Sequence, residues 1–133
     1  MLFQKIGDEE RFEVSNYIKE YLKLNSDYNI RIYLGCDSHN KSYATNYVTT
    51  IVFHLGDSGC HVIYTKEKVD KIPVEEYWTR LWGETERSVE VALYLRAQEI
   101  EINTIGLDFN SDPNRKSNKL VKASIGYVES FGF

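Results

Sequence analysis

Two segments of the chain end in the same way, and together they limit what it can fold into. The first is Ile30-Arg31-Ile32-Tyr33-Leu34-Gly35-Cys36-Asp37-Ser38-His39. Ile30, Ile32, Leu34 and Cys36 alternate with more polar or amphipathic residues, the period of a strand. The second lies about seventy residues on, Ile102-Asn103-Thr104-Ile105-Gly106-Leu107-Asp108-Phe109-Asn110. Both carry Gly-x-Asp at the strand end. Side by side and parallel, such strands bring two carboxylates together. Converging carboxylates repel, and a divalent cation is the usual remedy.

The rest of the chain supplies the elements such an arrangement needs. Asp8-Glu9-Glu10 precedes Val14, Tyr17, Ile18, Tyr21 and Leu22 at helical spacing. This predicts a helix over about 8–24, capped by Asp8, with its acids at the positive end of the dipole. Strands follow over about 30–36, 45–55 and 60–69. A turn is expected at 37–42 and a hairpin at Gly56-Asp57-Ser58-Gly59. Pro73 fits the first position of a long helix running to about Gln98. Its apolar side holds Trp78, Leu81, Trp82, Thr85, Val89, Ala92 and Leu93, with Arg96 on the same side. Gly83 inside it costs roughly 1 kcal/mol relative to Ala, which points to close packing there. A strand over about 102–108 and a helix over about 117–130 complete the order. Leu120, Val121, Ser124, Ile125 and Val128 should face inward on that last helix.

The 133 residues suit a single α/β domain, an N-terminal helix followed by a core over about 30–133. Three antiparallel strands and a helical crossover to a fourth, parallel to the first, make a mixed sheet with packed helices. That order resembles the RNase H-like arrangement. No apolar run approaches the roughly 18 residues of a membrane span. Met1 to Lys5 lacks the apolar core of a signal peptide, so a cytoplasmic location is expected. Cys36 and Cys60 are expected to be reduced and buried. His39, His54 and His61 show no zinc-type spacing. The net charge of −4 argues against a broad basic nucleic-acid platform, though not against an enzyme acting on nucleic acid.

The candidate chemistry is a carboxylate cluster: Asp37, Asp108 and a third acid from the long helix. By helical angle Glu84 and Glu86 both flank the apolar face, and periodicity does not choose between them. Three or four carboxylates holding two Mg²⁺ or Mn²⁺ ions are what phosphodiester hydrolysis uses. Each acid also has a plain alternative as turn, cap or solvated helix chemistry. Arg115, Lys116 and Lys119 could meet phosphate, or form a solvated helix face. His39 reads first as a turn residue, then as a ligand or proton shuttle. Ser38 and Ser117 would support metal waters or simply serve turns and caps. Tyr33, Tyr43, Tyr47 and Trp82 would stack bases or fill the core.

Four short motifs, in order over about residues 30–132, resemble one family. Gly35-Cys36-Asp37-Ser38-His39 is similar to the Gly-x-Asp-Ser-Gln opening of the bacterial YkuK-type RNase H-like proteins. Arg80-Leu81-x-x-Glu84-Thr85 is similar to their Arg-Ile-x-x-Glu-Thr helix motif. Leu107-Asp108 with Arg115-Lys116-Ser117 resembles their Ile-Asp strand end and basic helix start. Val128-Glu129-Ser130-Phe131-Gly132 resembles their Ile-Glu-Ser-Ile-Gly close. The resemblance implies metal-dependent nucleases. It carries the metal role to Asp37, Glu84 and Asp108, and favours Glu84 over Glu86; Lys116 would support the phosphate.

Relatives usually continue past this close, and RNase H-like nucleases commonly take a fourth acid from a late helix. Here the remaining acids are Asp112 and Glu129, and neither is a clear substitute. The expectation is therefore a Mg²⁺- or Mn²⁺-dependent nuclease, RNA or DNA unresolved. The alternative is a catalytically weak or inactive module binding nucleic acid or a protein partner, or assembling as a homo-oligomer.

Overall fold

Alternation in the sequence becomes alternation of burial along β3 (Arg31–Asn40). Ile32, Leu34, Cys36 and Ser38 are buried, while Tyr33, Gly35, Asp37 and His39 are half-buried or exposed on the other face. This computed structural model describes residues 1–107 and 117–133. β3 pairs antiparallel along its whole length with β4 (Ala44–His54), which pairs antiparallel with β5 (Cys60–Asp70). The Gly56–Ser58 turn that joins β4 to β5 uses positive φ at Gly56 and Gly59, as expected for a hairpin connection.

Helix α2 (Tyr77–Ala97) then crosses the sheet and leads to β6 (Thr104–Gly106), parallel to β3. β6 starts later than the predicted strand, whose expected end at Asp108 lies outside the described residues. Just before it, the Asn103 side chain accepts from the Ile32 N–H at 2.7 Å, and the Asn103 N–H donates to the Ile32 carbonyl at 3.0 Å. A side chain thus stands in for one ladder rung. α2 also starts later than predicted, because Val74–Glu76 after Pro73 forms a 3₁₀ turn.

The N-terminus departs most from expectation. Leu2–Lys5 (β1) and Arg11–Glu13 (β2) are an antiparallel hairpin, and the sheet has six strands in the order β2-β1-β5-β4-β3-β6. Phe3 pairs with Phe12 and is itself almost fully buried, so the hairpin covers core that a bare helix would leave open. Asp8 caps the turn rather than a helix: its carboxylate accepts from the Glu10 N–H at 2.9 Å. Gly7, at φ 80°, supplies the left-handed turn residue.

Helix α1 (Val14–Leu24) therefore begins six residues later than predicted. Glu13 caps it, accepting from the Asn16 N–H at 3.1 Å. Ile18 lies in the core with Phe53 and Ile63, while Tyr17 and Tyr21 stack around Phe53 and His61. α1 and α2 thus share one face of the sheet. The last helix, α3 (Ser117–Ser130), packs on α2 through buried Leu120, Ser124 and Val128. Ile125, expected inside, is 42% exposed, because the contact with α2 needs only a narrow stripe. Cys36 is buried, and burial foremost pushes its thiol up to about 12, so it stays protonated. Cys60, expected buried, is exposed at the start of β5.

Glu13 ties β2, α1 and α2 together. It accepts from the Ser15 hydroxyl and from Tyr94 on α2 at 2.5 Å. Burial would raise its carboxyl, but the bonds from Ser15, Tyr94 and the Asn16 amide outweigh it and bring it down to about 2. Its folded value is depressed, so its contribution is complete above the ordinary value of 4.5 and disappears as pH falls through about 2. The Tm difference between wild type and Glu13→Gln should therefore shrink as pH is lowered through that window in thermal melts. A difference that stays constant across it contradicts the clasp.

Candidate functional site

Among the described residues, the parallel pairing of β3 ends at Gly35 and Gly106. Past this point the backbone of β3 still needs partners. Helix α2 provides them. The Ser38 N–H donates to Glu84 Oε2 at 3.1 Å, and the Ser38 hydroxyl donates to the same oxygen. One turn earlier, Arg80 Nη1 donates to the Ser38 carbonyl at 3.4 Å. Arg80 and Glu84 are four residues apart, so both lie on one helix face and together clamp a single strand residue.

The clamp needs α2 close to the sheet, and Gly83 permits that approach. A Cβ there would collide with the Tyr47 ring, 2.8 Å from Cζ and against the hydroxyl. Tyr47 is 2% exposed, its hydroxyl donates to the Arg80 carbonyl at 3.1 Å, and Arg87 lies over its ring at 3.7 Å. Tyr47 is thus a core residue under the helix, the second of the two roles the sequence allowed. Next to Glu84, Thr85 donates to Ser124 on α3 at 3.2 Å, with both side chains fully buried.

Glu84 is 6% exposed, whereas Glu86 is exposed, so the helix angle that the sequence left open resolves to Glu84 pointing inward. Burial is the largest influence on its carboxyl and raises it. The Ser38 hydroxyl opposes this, the Asp37 charge adds to it, and Arg80 and the Ser38 amide oppose it again; the result is pushed up to about 7. Two hydrogen bonds use half of the roughly four lone-pair positions of a carboxylate.

Asp37 sits one residue before the clamp, exposed, on the opposite face of the strand from Ser38. It does not end a strand as predicted. β3 runs on to Asn40, and Asp37 pairs with Val48. His39 is likewise a strand residue, not a turn residue. The extension is held by Thr45, whose hydroxyl donates to Asn40 Oδ1 at 2.5 Å. Asp37 borders a groove of about 470 Å³ floored by Tyr33, Gly35, Thr50 and Val52 and closed on one side by Gly106 and Leu107.

Asp108, Asp112, Arg115 and Lys116 lie outside the described residues, as do the side chains of Ser117 and Lys119. Glu129 is exposed near the end of α3. The structure thus brings Asp37 and Glu84 to either side of Ser38, and among the described residues no group of three or more His, Cys, Asp or Glu forms a metal cluster. Sequence reasoning gave Ser38 a role in holding metal waters and missed its role as the latch for α2. The signal was present in Arg80 and Glu84, one turn apart around a helix-interior glycine.

A mixed sheet whose central strand has a parallel partner reached through a helical crossover, with acids at that strand's open edge, defines a protein of RNase H-like class. A family model described as Ribonuclease H-like matches residues 13–133, and the chain belongs to that family. No curated protein and no solved structure matches it. Among the described residues, no helix is long and apolar enough to cross a membrane.

Gly83→Ala tests the seating of the clamp. On an exposed helix the change would gain about 1 kcal/mol, but overpacking a tight contact costs roughly 1–3 kcal/mol. Urea denaturation should show a net loss of stability. A gain would mean that α2 does not sit against Tyr47 in this way.

Proposed function

We propose that the protein is a Mg²⁺- or Mn²⁺-dependent nuclease that hydrolyses phosphodiester bonds, with Asp37, Glu84 and Asp108 as metal ligands. The observation that carries this reading is the register of β3 and β6. Gly35 pairs with Gly106, so the two Gly-x-Asp segments start from the same level of the sheet. Asp37 follows Gly35 in sequence at the same interval at which Asp108 follows Gly106.

The chemistry of the donor set fits a hard dication. Glu84 is a carboxyl that burial foremost raises, with the Asp37 charge adding to it, and a bound dication would oppose both effects. An ion of this kind, when bound, supplies Lewis acidity at the phosphate oxygens and neutralises developing charge. Ser38 holds Glu84 in one orientation through two hydrogen bonds, so the ligand is positioned before the ion arrives. Arg80 fixes the same strand residue from its carbonyl side and limits the strand's movement. Exposed Asp37 would meet both ion and substrate, and Lys116 would supply a positive charge near the phosphate.

A second reading, a catalytically weak or inactive module that binds nucleic acid or a protein partner, is favoured by one observation. Among the described residues, no three acids form a cluster, and Asp37 lies on the opposite face of β3 from the Ser38 side chain that holds Glu84.

Cleavage of labelled RNA, DNA and hybrid oligonucleotides with Mn²⁺ separates the readings. Wild type should cleave at least one of them, and Asp37→Asn should reduce cleavage to background while keeping or raising Tm, because it removes a repulsive charge beside Glu84. Mn²⁺ at a hundred times its Kd should stabilise wild type by about 2.7 kcal/mol. Full cleavage by Asp37→Asn would contradict the assignment. No cleavage and no Mn²⁺-dependent shift would favour the inactive module.

A further inference from the structure

Among the described residues, the helices leave one face of the sheet to the strands. Asp37 opens onto this face, and so does a larger groove of about 660 Å³ at the other side of the sheet. Strand and turn residues alone line it. Its cations are Arg11 on β2, Lys41 in the β3–β4 turn, and Lys66 and Lys68 on β5. Among the described residues, no carboxylate lines it. Asp70, on the same face of β5, lies beyond Lys68 at the end of the strand. Among the described residues the one ion pair is Arg87 with Glu67, so no described carboxylate lies within salt-bridge distance of these four cations. In a chain of net charge −4, this is a local concentration of positive charge.

Two tyrosines accompany the charge. Tyr43, at the turn, is 91% exposed. Nothing in burial explains a large ring held in water there. Tyr64 is half-buried and fixed, its hydroxyl accepting from Gln4 Nε2 at 2.9 Å. Gln4 also donates to the Asp8 carbonyl at 3.0 Å, which ties the β1–β2 hairpin to the groove wall. Cations for phosphates combined with open aromatic rings for base faces are the two parts of a single-strand binding surface. A duplex hides its base faces in its own stack, and an exposed ring offers it little.

Register connects the groove to the acid. Asp37 pairs with Val48, and Val48 pairs with Lys66, all on the open face. Two strand spacings of about 4.8 Å put Lys66 roughly 10 Å from Asp37 across the sheet. His39, Asn46 and Lys68 form the neighbouring row.

We propose that this groove is a track for single-stranded nucleic acid, which holds the sugar-phosphate backbone on Arg11, Lys41, Lys66 and Lys68 and leads the strand across the open face to Asp37. It deepens the nuclease reading, and rests on it for what happens at Asp37; the track itself requires no metal.

The test is fluorescence anisotropy in EDTA with 5′-labelled 12-mers of dT and rU, over a series of salt concentrations. Wild type should bind at least one of the two. Lys66→Gln/Lys68→Gln should weaken binding by about tenfold or more. It should also lower the slope of log affinity against log salt by about 1.4, at roughly 0.7 per phosphate contact. Tyr43→Ala, an exposed change that leaves the fold alone, should cost between about fivefold and 150-fold. A double variant that folds normally and binds with unchanged affinity and salt slope overturns the track. So does a blunt duplex that binds more tightly through the same lysines, or inorganic polyphosphate that competes as well as the oligonucleotide. Binding in EDTA without cleavage in Mn²⁺ would leave the track standing and remove the nuclease. Cleavage that ignores both lysine changes would do the reverse.

Discussion

The arrangement depends on a buried carboxylate latched to one strand residue. Glu84 enters a nearly dry site, which by itself opposes its ionisation. What makes the position tolerable is Ser38, which offers a backbone N–H and a hydroxyl to the same oxygen, three residues past the last described parallel pair of β3. The bond therefore satisfies a strand amide and a buried acid at once. Arg80 closes the clamp on the Ser38 carbonyl, and Gly83 lets the helix come near enough for either to reach.

The sheet divides its labour by face. On one side, alternate residues of β3, β4 and β5 pack beneath α1 and α2 and form the core around Leu34, Ile51, Phe53 and Ile63. On the other side, the intervening residues carry Asp37 with its partner Val48, the β-branched floor of Thr50 and Val52, and the basic groove by β5. A strict period of two makes this division possible, because each strand serves packing and chemistry with alternate side chains. Ser38 and Asp37 show the rule at its sharpest, adjacent in sequence and on opposite faces.

Much of this was legible in the sequence, for physical reasons. The three long strands and the crossover helix have strong periodicity, and the helical crossover made the strand after it an expected parallel neighbour of the first, as it is. Position 83 announced close packing, since glycine is costly in a helix without a reason. The N-terminal hairpin was not legible. Asp8-Glu9-Glu10 looks like a helix start, yet Gly7 and Asp8 build a turn instead, and only the need to bury Phe3 against the sheet decides between them. The length of β3 was missed for a similar reason. Asp37-Ser38-His39-Asn40 is turn-like in composition, but β4 offers ten partners in register and Thr45 secures the last of them. Tertiary pairing overrode local preference in both cases. The choice of Glu84 over Glu86 needed either the resemblance or the structure, because both sit at the border of the apolar stripe.

The proposed role of Glu84 as a ligand for a divalent cation makes a direct demand on its carboxyl. Its side-chain carboxyl can be titrated directly by carbon-detected NMR, first in EDTA and then with saturating Mg²⁺. The account predicts a midpoint near 7 in EDTA, well above the ordinary 4.5, and a clear drop once Mg²⁺ is present. A midpoint at the ordinary value, or one near 7 that Mg²⁺ leaves unmoved, would contradict it.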